Sequence, residues 1–168
     1  YPNSRYRPEV ETHNITGYMS DGNYAGALAT IDKISQPSAE VLGYKKRALF
    51  AEGVNKSSAG DYKGACELFG KSRAVAGDSE LSAQAMLWQG DCYYRLGEMG
   101  AARKAYNDYL ATAPAADGNR ALAHYNLGYA DYEMHDYAAS QSNFTKALNA
   151  GGLDNRLSAD ARNRIGDC

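Results

Sequence analysis

Apolar and polar positions along this chain recur with the period of helices. Ala102, Ala105, Tyr106, Tyr109, Leu110 and Ala113 fall at i, i+3, i+4, i+7, i+8 and i+11, which draws an apolar stripe along one helix face. Just upstream, Met86, Gly90, Tyr93 and Leu96 trace a second stripe, with a small residue where a partner helix can approach closely. Gly97 closes the first helix and Pro114 sits just past the second, where helix stop signals belong. Two antiparallel helices joined by a few residues make a helical hairpin.

The same hairpin recurs along the chain. A small residue of the second helix returns at Ala27, Ala65, Ala102 and Ser140, in steps of 38, 37 and 38 residues. Four residues on, Ile31, Phe69, Tyr106 and Phe144 keep those steps, and the turn position returns at Gly22, Gly60, Gly97 and His135. The glycine of the first helix recurs at Gly53, Gly90, Gly128 and Gly166, while Ile15 stands in its place in the first hairpin, so packing there must differ. Four positions holding one register predict helices over about 8–20, 24–35, 38–58, 62–75, 120–134, 137–149 and 158–168, with a further pair between Asp78 or Ser79 and Pro114 broken at Gly97, and an irregular run over 1–7. Pro8 sits near the first helix start with Glu9 and Glu11 in the opening turn, Ser38 is placed to cap the third helix, and Asp78 or Ser79 the fifth.

The order small Gly90, aromatic Tyr93, Gly97, Ala102, aromatic Tyr106 and Pro114 resembles a tetratricopeptide repeat, a helix–turn–helix unit of about 34 residues. Tyr109 departs from it, where that family usually keeps a small residue. The extra three or four residues per period fall between hairpins. The resemblance implies an all-α fold, an α-solenoid of antiparallel helix pairs in a right-handed superhelix. The expected organisation is one domain over 1–168, with repeats at 8–37, 38–77, 78–116 and 117–152 and a half repeat or capping helix at 153–168. Arg156, Asp160, Arg162, Asn163 and Arg164 are polar enough for a lid over the last hairpin. The kept register favours the other reading, a segment of a larger bacterial protein of many repeats.

In that family the first helices line a concave groove. Carried onto this chain, its groove positions are Arg47, Phe50, Ala51 and Val54 in the second repeat and Gln84, Leu87, Trp88, Asp91, Tyr94 and Arg95 in the third. In the fourth they are Leu122, Tyr125, Asn126, Tyr129, Tyr132 and Glu133. The candidate partner-binding set is Phe50, Trp88, Asp91, Tyr94, Arg95, Tyr125, Asn126, Tyr129, Tyr132 and Glu133. It holds the only tryptophan and five other aromatics, the side chains that binding hot spots use. Aromatic rings at helical spacing equally serve packing. Tyr93, Tyr106, Phe69 and Phe144 are assigned to packing, while Trp88, Tyr125 and Tyr129 are the candidates for a shared patch. The family's carboxylate-gripping asparagine position is occupied by Thr16, Val54, Asp91 and Tyr129, so that subclass of tail binding is not expected.

Composition narrows the function. The 168 residues are 44% hydrophobic and 23% charged, a globular balance, and no apolar run is long enough to cross a membrane, so no membrane insertion is expected. Net charge is −2 and the longest basic cluster is Lys45-Lys46-Arg47, which disfavours nucleic acid. Cys66, Cys92 and Cys168 are isolated and lack metal-ligand spacing, so no metal and no cofactor are expected. His135 falls in a turn. His124 lies on the packed face of its helix with Asp131 at i+7, read as a histidine bonded to a neighbour and not as a base. The three Asn-X-Ser/Thr triplets lie inside helical patterns and are read as chance.

No catalytic arrangement emerges, so no enzyme is expected. The leading expectation is a non-catalytic scaffold that binds a partner peptide or helix in the groove. The alternative is a structural spacer of an envelope-associated assembly with no tight ligand. Long bacterial chains of such irregular repeats are often exported, so the resemblance leans towards the envelope or periplasm.

Overall fold

The computed structural model describes residues 7–168, with side chains from residue 9 onward. Its helices run α1 Arg7–Ser20, α2 Tyr24–Ile31, α3 Ala39–Ser58, α4 Tyr62–Ala74, α5 Ser79–Arg95, α6 Met99–Thr112, α7 Arg120–Glu133, α8 Tyr137–Ala150 and α9 Asn155–Asp167. Most of the irregular run expected over 1–7 lies outside the described residues. No helix among them is long and apolar enough to cross a membrane. The chain divides within α5 into two compact units, 1–85 and 86–168.

One turn is built four times. Gly22, Gly60, Gly97 and His135 all take positive φ, from 62° at His135 to 83° at Gly60. The amide after each donates back across the turn: Asn23 to Tyr18 O, Asp61 to Lys56 O, Glu98 to Tyr93 O and Asp136 to Asp131 O, at 2.8–2.9 Å. This closes the helix end in a Schellman motif and reverses the chain. Asn23, Asp61 and Asp136 then cap the following helix through their side chains, whereas Glu98 makes no such bond. Histidine occupies the left-handed position at 135 at some conformational cost, with its Nδ1 3.0 Å from the Tyr137 hydroxyl.

The packing within the second, third and fourth hairpins is a ring set against a glycine sixteen residues earlier. A Cβ built on Gly53 would lie 2.9 Å from the Phe69 ring, on Gly90 2.5 Å from Tyr106, and on Gly128 3.0 Å from Phe144. These three rings are at most 1% exposed. In the first hairpin Ile15 and Ile31 take the two roles, both buried, and join Val41 with Met19, Ile34 and Tyr44 around them. Two aliphatic side chains thus fill the space that elsewhere holds a ring over bare backbone. The small positions Ala27, Ala65, Ala102 and Ser140 are fully buried, and the Ser140 hydroxyl donates to Gly128 O at 2.9 Å.

Two elements depart from expectation. α2 ends at Ile31 instead of near Ser35, because the chain turns there and swings Ile34 onto the Ile15–Ile31–Val41 cluster. α9 begins three residues earlier than expected, since Asp154 caps it by accepting from Leu157 N at 2.7 Å. At α5 the capping side chain is Asp78, which accepts from Leu81 N at 2.9 Å.

Unit 1 also contains a buried lysine. Lys46, inside the run that composition marks as a basic cluster, is 1% exposed. Its Nζ donates to Val75 O, Gly77 O and Ser82 Oγ at 2.9, 2.5 and 2.6 Å. The cation therefore closes the carboxyl end of α4, where the helix dipole favours positive charge.

Candidate functional site

In unit 2 the first helices α5 and α7 bring their side chains together across a regular offset. Asn126 lies 35 residues after Asp91 and donates to its Oδ1 at 2.9 Å. Tyr125 and Asp160 hold the same spacing, with the tyrosine hydroxyl donating to Oδ2 at 2.6 Å, as do Tyr129 and Arg164, whose Nε donates to the hydroxyl at 3.2 Å. The Tyr129 hydroxyl also donates to Asp160 Oδ2 at 2.5 Å. This ladder ties α5 to α7 and α7 to α9.

Between the rungs lies a cavity of about 320 Å³. Asp91, Tyr94 and Arg95 of α5 line one side, Tyr125, Asn126 and Tyr129 of α7 the other, and Tyr106 of α6 contributes from below. Tyr106 is 1% exposed, yet its hydroxyl donates to Asp91 Oδ1 at 2.7 Å. Tyr125 and Tyr129 stack edge-to-face on each other at 5.2 Å and on Phe144 at 5.7 and 5.2 Å, so Phe144 fixes their orientation from behind.

Burial sets the ionisation of this site. It raises the Tyr94, Tyr106, Tyr125 and Tyr129 hydroxyls further above their ordinary range, so all four remain neutral donors. Burial also pushes the Asp91 carboxyl up, against the pull of Tyr106, Asn126 and Arg95. At Asp160 burial pushes the same way, but the two tyrosine hydroxyls and Arg164 outweigh it and hold the carboxyl below its usual range.

Six residues of the expected set thus meet at one cavity: Asp91, Tyr94, Arg95, Tyr125, Asn126 and Tyr129. The others lie elsewhere. Trp88 is half-buried on α5 and does not line this cavity. Tyr132 stacks on Tyr137 at 5.3 Å beside the α7–α8 turn, and Glu133 is exposed at the end of α7. Phe50 belongs to unit 1, where it meets Phe69 edge-to-face at 5.5 Å. Leu87 is 7% exposed and packs into the core, so the family's groove position does not hold for it. Tyr106 is both core and cavity wall. The signal for it was available: a buried ring resting on Gly90 needs a partner for its hydroxyl, and Asp91 is the next residue.

A second polar chain runs through α6, α7 and α8. Arg103 Nε meets Asp131 Oδ1 at 2.9 Å, Asn143 Nδ2 donates to Asp131 Oδ2 at 2.7 Å, and Asn143 Oδ1 faces His124 Nδ1 at 3.3 Å. Asp131 therefore reaches His124 through Asn143 and not directly. His124 lines a larger cavity of about 570 Å³, bordered by the α6–α7 loop and the end of α8. Much of that wall is alanine and glycine, and Arg120 is committed to Leu110 O and Ala113 O at 2.8 and 3.0 Å. Burial lowers the His124 pKa, with Lys146 and Arg120 adding to it and the Asn143 bond opposing. A depressed folded pKa gives stability that is present above about 6.5, the ordinary histidine value, and lost as pH falls through the folded value. His124→Gln should destabilise by less than about 1.5 kcal/mol at neutral pH, the worth of one hydrogen bond. Thermal melts between pH 7 and 5 should show the wild type losing more stability than the variant. A variant that unfolds at neutral pH would mean the ring does more than bond Asn143.

Residues 50–117, from within α3 to the loop after α6, match the tetratricopeptide repeat family. That stretch carries the tetratricopeptide repeat pattern. Solved structures of similar fold include the first TPR of Spaghetti (RPAP3) bound to HSP90 peptide SRMEEVD. It is 15% identical, with a TM-score of 0.61, and the likeness covers 73% of this chain and 92% of that one. MamA protein is 17% identical with a TM-score of 0.63, covering 98% of this chain and 87% of that one. A MamA RS-1 ArsTM double mutant is 16% identical with a TM-score of 0.59, covering 95% and 93%. At such identities the likeness speaks for the fold. No curated protein matches the sequence. The tetratricopeptide fold, an α-solenoid of helix pairs, is that of a protein–protein interaction scaffold.

Proposed function

We propose that this tetratricopeptide chain is a non-catalytic scaffold that binds an extended or helical partner segment on the α5–α7 face of unit 2, with the tyrosine-walled cavity as its anchor point. The cavity itself carries this reading. Four tyrosines and one carboxylate converge on it from three helices, and each of these polar tips except that of Tyr94 is held by a named hydrogen bond. Side chains fixed in this way lose little entropy on binding, which favours tight contact for a small area. Arg95, exposed in the cavity wall, would set the direction of a charged segment.

Peptides selected from a random displayed library against the whole chain provide the test. Tyr94→Ala should weaken the selected peptides by about 1–3 kcal/mol, the hot-spot range, with helicity retained by circular dichroism. Trp88→Ala should weaken them less than Tyr94→Ala, because it stands outside the cavity. Selected peptides that bind Tyr94→Ala as tightly as the wild type would move the site off this cavity. A library that returns no binder would favour the spacer reading.

A further inference from the structure

Asp91 is the feature that a general peptide groove does not require. Its Oδ1 is saturated by the Tyr106 hydroxyl and the Asn126 amide, while Oδ2 accepts no hydrogen bond from the described residues. Arg95, one turn along α5, lines the same cavity but is exposed, and it acts on this carboxylate through its charge and not through a hydrogen bond. A half-buried acid with one open oxygen therefore lines a cavity whose other polar groups are neutral hydroxyls, an amide and the exposed Arg95. Partial burial penalises the charged carboxylate, and the open oxygen marks where a further donor would relieve it.

The walls match the same chemistry. Tyr94, Tyr106, Tyr125 and Tyr129 present aromatic rings around the acid, and ring faces attract cations brought within about 6 Å. The hydroxyls of Tyr106, Tyr125 and Tyr129 are already directed at Asp91 or Asp160, so they do not compete for the open oxygen. An acidic side chain at the open oxygen would meet the Asp91 carboxylate, and an apolar one would leave that oxygen without a donor.

We infer that the cavity seats a cationic side chain of the partner, lysine or arginine, with its charged head at the open oxygen of Asp91 and its stem between the tyrosine rings. This rests on the groove reading above and names the chemistry of its anchor. Arg95 is then a specificity element. As a like charge in the cavity wall, it limits how tightly a single cation binds and rewards partners that pair it with an acid nearby.

The test uses the whole chain, isotope-labelled, titrated with acetyl-Gly-Gly-X-Gly-Gly-amide in which X is lysine, arginine, norleucine or glutamate. The side-chain amide of Asn126 and the backbone amides of Tyr94 and Tyr125 are followed by NMR. The lysine or arginine peptide should bind at least about tenfold tighter than norleucine, and the glutamate peptide should not bind measurably. Asp91→Asn should erase the cation preference and keep the fold, since the amide oxygen still accepts from Tyr106 and Asn126. Arg95→Gln, at an exposed position, should tighten the cationic peptides and decides the matter if Asp91→Asn proves unstable. Equal binding of norleucine and lysine, a preference for glutamate, or a cation preference that survives Asp91→Asn would overturn the inference while leaving the groove reading intact. Shifts from none of the four peptides would sink both.

Discussion

Tyr106→Ala is expected to lower the stability of unit 2 by about 3–5 kcal/mol, the range for deleting a buried aromatic ring. The ring is 1% exposed and lies so close to Gly90 that a Cβ there would be 2.5 Å from it. No side chain of α5 can move in to fill the space, so the cavity left behind stays open. The loss also strips one of the two donors from Asp91 Oδ1. Tyr106→Phe separates the two effects. It keeps the ring and removes the hydroxyl, and should cost about 1–2 kcal/mol as a lost bond to a buried acid. Urea unfolding followed by hydrogen exchange of peptides from α5 to α7 would read both. If the alanine variant were no less stable than the phenylalanine one, the ring would not be the element that joins α5 to α6.

Lys46→Met should destabilise unit 1 by about 2–4 kcal/mol, although it trades one long side chain for another of similar volume. The ammonium satisfies Val75 O, Gly77 O and the Ser82 hydroxyl, three groups at and beyond the end of α4, and a thioether can donate to none of them. The nearby Asp78 carboxylate, whose charge acts on Lys46, would lose a compensating cation as well. Exchange protection should fall first in the last turn of α4 and the first turn of α5. Unchanged protection there would show that water replaces the ammonium at no cost.

The two variants also mark the boundary between what is written locally and what is not. A histidine in the turn register, the glycine-to-ring spacing of sixteen, and the first-helix glycines are all statements about neighbours in sequence, and helix geometry turns them directly into a hairpin. The same holds for Ser38 and the turn glycines, whose conformations follow from their own chemistry. Even the cavity was partly legible, because first helices one repeat apart place residues 35 positions apart side by side. The rest of the site depended on depth. Tyr106 is assigned to the core by its periodicity, and nothing in that periodicity tells whether its hydroxyl emerges on the far side.

The amino-acid sequence by itself determined the helical class, the register of the hairpins and their turns, because each follows from the local pattern of residues. Only the tertiary structure decided the fate of the charges. Lys46 and Arg47 are adjacent and alike on paper, yet one is buried against carbonyls and the other lies over the Tyr44 ring at 4.8 Å. Asp91 and Asp160 are both carboxylates near tyrosines, yet burial raises one while two hydroxyls and Arg164 lower the other. The reason is physical. Hydrophobic periodicity is a one-dimensional signal summed over many residues, whereas the energy of a single charge is set by the few groups that enclose it in three dimensions.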